Sequence, residues 1–310
     1  MKRSWQMLLN LSLIFVFFWF LIQLPVQAKS EINYEFQSSK LFYRGIENIN
    51  NQNYQQAISN FTQVIKQKSS LVAAAYSNRC LVYLQLGNNQ AAKSDCSAAV
   101  KLNPDNTEAY LNLGLTEYRL GNYDEALEQY QQVIQRNKDD YRVYYNQGLA
   151  HFAQQNYEKS LTSYEQALLL NSFSFSGERA LIYSDKGLVN LMLGNFPNAI
   201  ADLTKAISLD SSNERFYYNR ACAHHKNGDY QAAIADFSQV LQLNPQSAQA
   251  YVNRGLLQHQ IGLEYPAIKD LNTALYYFEK QKQMIAYQET INLIKRLQKT
   301  LAQSSRPQFS

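Results

Sequence analysis

The chain has 310 residues, with 29 Lys and Arg against 25 Asp and Glu, for a net charge of +4. Charged residues make up 17 % of it, below the ~25 % typical of soluble domains, and Asn and Gln fill the solvent faces instead. No block of basic residues stands out, which argues against nucleic acid as a partner. At the N-terminus Lys2 and Arg3 precede an apolar stretch from Met7 to Leu24, densest at 11–22 (LSLIFVFFWFLI). Pro25 ends the run, and Val26, Gln27 and Ala28 supply the short residues of a cleavage site. Residues 1–28 are expected to be a cleaved signal peptide. Left uncleaved, the run is just long enough to be a membrane anchor, and membrane contact would then go through this segment. In both cases Lys2 and Arg3 stay inside, so the remainder is expected on the non-cytoplasmic side: periplasmic, lumenal or extracellular. Residues 29–37 are expected to be a linker.

From residue 38 a small residue recurs at one register: Ala57, Ala92, Ala126, Ser160, Ala199, Ala233 and Ala267. A second set keeps the same gaps: Gly45, Cys80, Gly114, Gly148, Gly187, Ala221 and Gly255. Aromatic residues recur in phase, including Tyr76, Tyr110, Tyr144, Tyr183, Tyr217 and Tyr251. Most gaps are 34, and such a period with paired helical patterns means an array of helix–turn–helix units. Residues four apart stack on one helix face, so the small positions let two backbones approach while the rings fill the space around them. The turns read GNN, QNY, GNY, QNY, GNF, GDY and GLE, a left-handed position followed by a cap for the next helix. Leu102–Asn103–Pro104 and Leu243–Asn244–Pro245 close two units, because proline cannot continue a helix.

GNYDEALEQY, GDYQAAIADF and GNFPNAIADL, with YYNRA and YVNRG, resemble the turn and helices of the tetratricopeptide repeat family. The resemblance implies an all-α fold, a right-handed α-solenoid of seven helix pairs preceded by the hydrophobic leader helix. The units would run 38–71, 73–106, 107–140, 141–174, 180–213, 214–247 and 248–281 within the span 38–281. Five extra residues break the register around 171–179 (NSFSFSGER), placing Phe173 and Phe175 in an expected loop. Residues 282–302 read as a capping helix with Lys282, Lys295, Arg296 and Lys299 on its outer faces. Residues 303–310 read as a disordered tail.

The family's first helices line a concave channel that takes extended peptides or helices. Carried onto this sequence, its apolar strip is Ile46, Leu81, Leu115, Leu149, Leu188, Cys222 and Leu256. One turn back lies a polar ladder of Asn78, Asn112, Asn146, Asp185, Asn219 and Asn253. An asparagine amide can bond both backbone groups of a ligand, or it can bond a neighbouring repeat and set the pitch; both roles stand open. The Lys/Asn clamp by which one subclass grips a C-terminal carboxylate is missing, since Phe42 and Ile46 occupy its places.

Cys80 and Cys96 occupy the two close-contact positions of one unit. Oxidised, they would close a loop of about 16 residues, worth roughly 3 kcal/mol; reduced, they are small apolar fillers. Cys222, His225 and His259 are a weak candidate for a metal site, because a soft metal needs three or four converging ligands. Asp124, Glu125, Asp202 and Asp236 are expected to solvate the outer faces of second helices. HExxH, GxSxG and CxxC motifs are absent, and no cofactor is implied. The expected function is a non-catalytic scaffold or assembly factor for protein partners. The alternative is a membrane-anchored structural subunit of a secretion, cell-wall or polysaccharide machine.

Overall fold

The computed structural model describes residues 26–171 and 176–304. The described residues form fifteen α-helices and no strand. The chain divides into two compact units at Asp139/Asp140. The first holds α1 (Val26–Asn50), α2 (Tyr54–Gln67), α3 (Val72–Gln85), α4 (Asn89–Leu102), α5 (Thr107–Arg119) and α6 (Tyr123–Arg136). The second holds α7 (Tyr141–Ala153), α8 (Tyr157–Leu170), α9 (Ser176–Met192), α10 (Phe196–Leu209), α11 (Glu214–Asn227), α12 (Tyr230–Leu243), α13 (Ala248–Gln260), α14 (Glu264–Lys280) and α15 (Met284–Ser304). The apolar leader and the residues beyond Ser304 lie outside the described residues, as do Phe173 and Phe175. No described helix is long and apolar enough to cross a membrane.

Each helix pair closes on the two small registers. Ala57, Ala92, Ala126, Ala199, Ala233 and Ala267 are fully buried. Ser160 takes the same place and satisfies its hydroxyl by donating to the Gly148 carbonyl at 2.8 Å. Across from them a side chain on Gly114 or Gly148 would put its Cβ 2.3 Å from the ring of Tyr130 or Tyr164. The glycine is therefore a recess for the ring, not a helix breaker. Cys80 and Cys96 meet at the corresponding contact of α3 and α4, with Cα atoms 5.4 Å apart and sulfurs 2.03 Å apart.

The turns follow the sequence in part. Gly87, Gly121, Gly194, Gly228 and Gly262 have positive φ, and Gln52 and Gln155 are held in the same left-handed region. Of the asparagines and aspartate that follow, only Asn88 caps its helix with its side chain, accepting from the Ala91 N–H at 3.2 Å. Asn53, Asn122, Asn156, Asn195 and Asp229 stand at the N-cap without that bond. Asn122 instead donates to Glu117 at 2.8 Å. Unit ends are Asx turns: the Oδ1 of Asn103 and Asn244 accepts from the second N–H onward, at 3.2 and 3.1 Å.

Residues 29–37 are helical, contrary to the expected linker, and continue α1. They contain no Pro or Gly, and Glu35 accepts from the backbone and hydroxyl of Ser70 at 2.9 and 3.0 Å, which docks the extension onto the end of the first helix pair. Residues 176–179, expected in a loop, form the first turn of α9. The last helix runs to Ser304, so residues 303 and 304 are helix rather than tail. It packs through Ile294 and Leu297 onto Leu271, while Lys282, Lys295, Arg296 and Lys299 stay exposed.

Of the second-helix carboxylates expected to face solvent, Asp124 and Glu125 are exposed, but Asp202 and Asp236 are buried. Asp95, Asp202, Asp236 and Asp270 are 5–8 % exposed, and each meets a cation on its own first helix. Burial makes that pairing obligatory, since an unpaired carboxylate there would lose its hydration without compensation.

Candidate functional site: the face of the first helices

Within the first unit α3 touches both α1 and α5, and in the second unit α9 touches α11; no two second helices meet as closely among the described residues. The inner side of each unit is therefore built of first helices. On that side lie Asn78, Leu81, Asn112 and Leu115 in the first unit, all half-buried. Asn146, Leu149, Asp185, Leu188, Asn219, Cys222 and Asn253 are half-buried in the second unit, and Leu256 is 38 % exposed. Residues on the adjoining, inward-turned flank of the same helices, such as Ala75 and Val82 on α3 or Ala250 and Leu257 on α13, are 0–2 % exposed. The ladder and strip are thus the part of each first helix that the repeat packing leaves partly open.

The polar ladder divides into two kinds of residue. The Tyr218 hydroxyl accepts from Asn253 Nδ2 at 2.8 Å, and Asn253 Oδ1 accepts from Gln249 at 3.1 Å. The Tyr145 hydroxyl donates to Asp185 at 2.8 Å, and Arg215 pairs with the same carboxylate. These two rungs bond neighbouring repeats, as the pitch-setting role requires. Tyr145 and Tyr218 occupy the position just before a ladder residue. The same position holds Phe42, Ser77, Leu111 and Ser184 in other units, none of which reaches across with a phenol. Asn78 accordingly turns back to the Ala74 carbonyl at 2.9 Å. The side-chain amides of Asn112, Asn146 and Asn219 make no hydrogen bond to another described residue. Sequence reading missed this division, although the alternation of Tyr with Ser or Leu one residue before the ladder carries the signal.

Electrostatics on this face is mild. Burial pushes the Asp185 carboxyl above its usual range, only partly offset by Arg215 and Tyr145. Burial also raises the Cys222 thiol and the Tyr218 phenol. Phe42 is packed edge-on against Phe61 with centroids 5.7 Å apart, so the place of the carboxylate-clamp lysine is core.

Cys222, His225 and His259 do not converge, and no group of metal-ligating side chains occurs among the described residues. His259 Nδ1 is engaged by Glu264 at 2.8 Å, and the His225 ring lies 6.0 Å from Tyr230. The equal register on successive helices does not bring them together, because each imidazole turns toward the following inter-helix turn of its own unit.

A two-helix repeat whose small residues seat rings and whose first helices keep a half-open strip defines a class of helical-repeat protein. Tetratricopeptide repeat models match residues 44–106, 79–142, 111–180, 187–228 and 215–247. The chain belongs to the tetratricopeptide repeat family. It is 33 % identical over 85 residues to sperm-associated antigen 1 of Mus musculus, which is 27 % of this chain and 9 % of that protein. The match therefore spans less than a tenth of that relative's length. Among solved structures, a tetratricopeptide repeat protein from Parabacteroides merdae superposes with a TM-score of 0.62 at 20 % identity, covering 84 % of this chain and 98 % of that one. PilF of Pseudomonas aeruginosa gives 0.58 at 23 % identity, covering 70 % and 95 %.

Proposed function

We propose that this chain is a non-catalytic scaffold that holds protein partners, as extended peptides or helices, along the inner face of its first helices. The observation that carries the reading is the set of amides of Asn112, Asn146 and Asn219, unpaired among the described residues, beside the half-buried Leu115, Leu149 and Cys222. A peptide backbone offers alternating C=O and N–H groups that such amides match, and its side chains would be desolvated on the apolar strip. Seven repeats wound into a right-handed solenoid would offer such rungs in series. The scaffold works on the far side of a membrane, exported or tethered by the apolar segment 7–24. That segment supports the placement, and so does the pairing of Cys80 with Cys96, which belongs to an oxidising compartment.

The test is capture of partners from native membranes by the full chain and by Leu115→Asp and Leu149→Asp variants. Each substitution places a charge on the strip at a residue that also touches its unit's core, so an unchanged helical signal in the variant is the control for folding. The same partner bands are expected to fall at least about tenfold in the variants, the effect of losing roughly 1.4 kcal/mol. An unchanged pattern in both variants defeats the reading. The N-terminal mass of the purified protein decides between a processed leader and a retained anchor.

A further inference from the structure

Four first-helix cations meet an aspartate sixteen residues later, and three of them do so identically. Arg79 forks onto Asp95 through Nε and Nη2 at 2.6 and 2.8 Å, and its Nη1 donates to the Thr62 hydroxyl at 2.7 Å. Arg220 forks onto Asp236 at 2.8 and 2.7 Å and reaches Thr204 at 3.0 Å. Arg254 forks onto Asp270 at 2.7 and 2.8 Å and reaches Ser238 at 2.9 Å. In each case one planar guanidinium bonds the aspartate of its own unit and a hydroxyl on the preceding second helix. All three of its nitrogens are engaged.

The fifth repeat departs from this pattern at two places. Lys186 stands in the arginine register and Glu165 in the hydroxyl register. Lysine brings a single ammonium point, 3.3 Å from Asp202 and 3.7 Å from Glu165, with no fork. Beside this ion pair lies a half-open cavity of about 290 Å³, lined by Leu161, Glu165, Lys186, Asn190, Asn198 and Asp202. Two carboxylates face one cation there. Asn190, 4 % exposed, spends its amide on Asp202 at 2.8 Å, and its carbonyl oxygen has no partner among the described residues. Burial holds the Asp202 carboxyl above its usual range, so Lys186 does not compensate it fully.

We propose that this cavity binds a guanidinium cation carried on a short carbon chain. The ligand supplies the planar donor set that this repeat lacks: a fork onto Glu165, a further N–H toward the free Asn190 carbonyl, and a chain lying against Leu161. The site is independent of the inner face of the first helices and of the reading given for it.

The probe is butylguanidinium, titrated by calorimetry or by NMR into the full chain, with its neutral isostere butylurea as control. Saturable binding of the cation alone is expected, with a Kd on the order of 1 mM for so small a ligand. Glu165→Gln removes one charge from a residue whose side chain is 63 % exposed, and it is expected to weaken binding at least about tenfold. Lys186→Arg combined with Glu165→Thr rebuilds the arrangement of Arg220 and Thr204, and it is expected to abolish binding while raising the unfolding temperature. No saturation up to about 10 mM, equal binding of butylurea, or unchanged affinity in the rebuilt variant overturns the proposal.

Discussion

Gly148 and Tyr164 show how little freedom single positions have, since any Cβ on Gly148 would lie inside the van der Waals shell of the ring. The left-handed turn position is more tolerant, because nothing lies within 4 Å of Gly87, Gly121, Gly194 or Gly228. There glycine serves φ alone, and Gln155 at φ 61° bears the cost. Gln155→Gly is expected to stabilise the protein by about 0.5–1 kcal/mol, the left-handed penalty less the extra entropy of glycine in the unfolded chain. A rise in the urea midpoint with unchanged slope checks it. His151 gives a pH-dependent outcome. Burial first, then the charge of Lys159, hold its pKa below 6.5 in the fold. The unfolded chain therefore takes up the proton more readily. Stability from this group is present above pH 6.5 and is lost as pH falls through its folded pKa. His151→Gln is expected to reduce the drop in urea midpoint between pH 7.5 and pH 5.5 relative to the unsubstituted chain (values bracketing the ordinary imidazole pKa of about 6.5). An identical drop in both proteins contradicts this.

Between helices, the packing of small residues against rings is assisted by the arginine fork, which ties a first helix to its partner and to the preceding second helix. Arg220 therefore fastens α11 to both α12 and α10. Arg220→Ala leaves Asp236 buried with only His224 Nε2, 3.9 Å away, beside it and is expected to cost about 3 kcal/mol, measured as the loss in unfolding free energy. The recurrence of Arg79 with Asp95, Arg220 with Asp236 and Arg254 with Asp270 is visible in the sequence at a constant spacing of sixteen. Its meaning is not, because a second-helix aspartate looks the same whether it faces water or a guanidinium. The helix pairs themselves were legible for the opposite reason. Small and aromatic residues at fixed intervals can be satisfied only by close approach of two helices. The extension of α1 through residues 29–37 was not legible. Its polar residues gain their place from Ser70, far along the chain.

At the scale of the molecule, each unit grows its core by one neighbour interface at a time, and its stability is close to a sum of such interfaces. The last interface is the most sensitive to truncation. The helix after Met284 covers Leu271, Ala274 and Phe278 and turns its lysines and arginine outward. A chain ending after Lys280 would expose that apolar surface. It is expected to self-associate, seen as a rise in light scattering with concentration, while the first unit keeps its helical signal. A monodisperse truncated protein at the same concentration would show that the capping role is misassigned.

Periodicity was enough to establish the family, the helix pairing and the side of each helix that faces its neighbour, because those depend on residue size repeated at a constant interval and need no knowledge of distant contacts. The partners of the ladder residues, the burial of the second-helix carboxylates, the separation of Cys222, His225 and His259, and the cavity at Lys186 emerged from the packed chain. Hydrogen bonds and ion pairs depend on ångström-scale placement across helices that are far apart in sequence. A change as small as arginine to lysine then decides whether a buried aspartate meets a fork or a single ammonium.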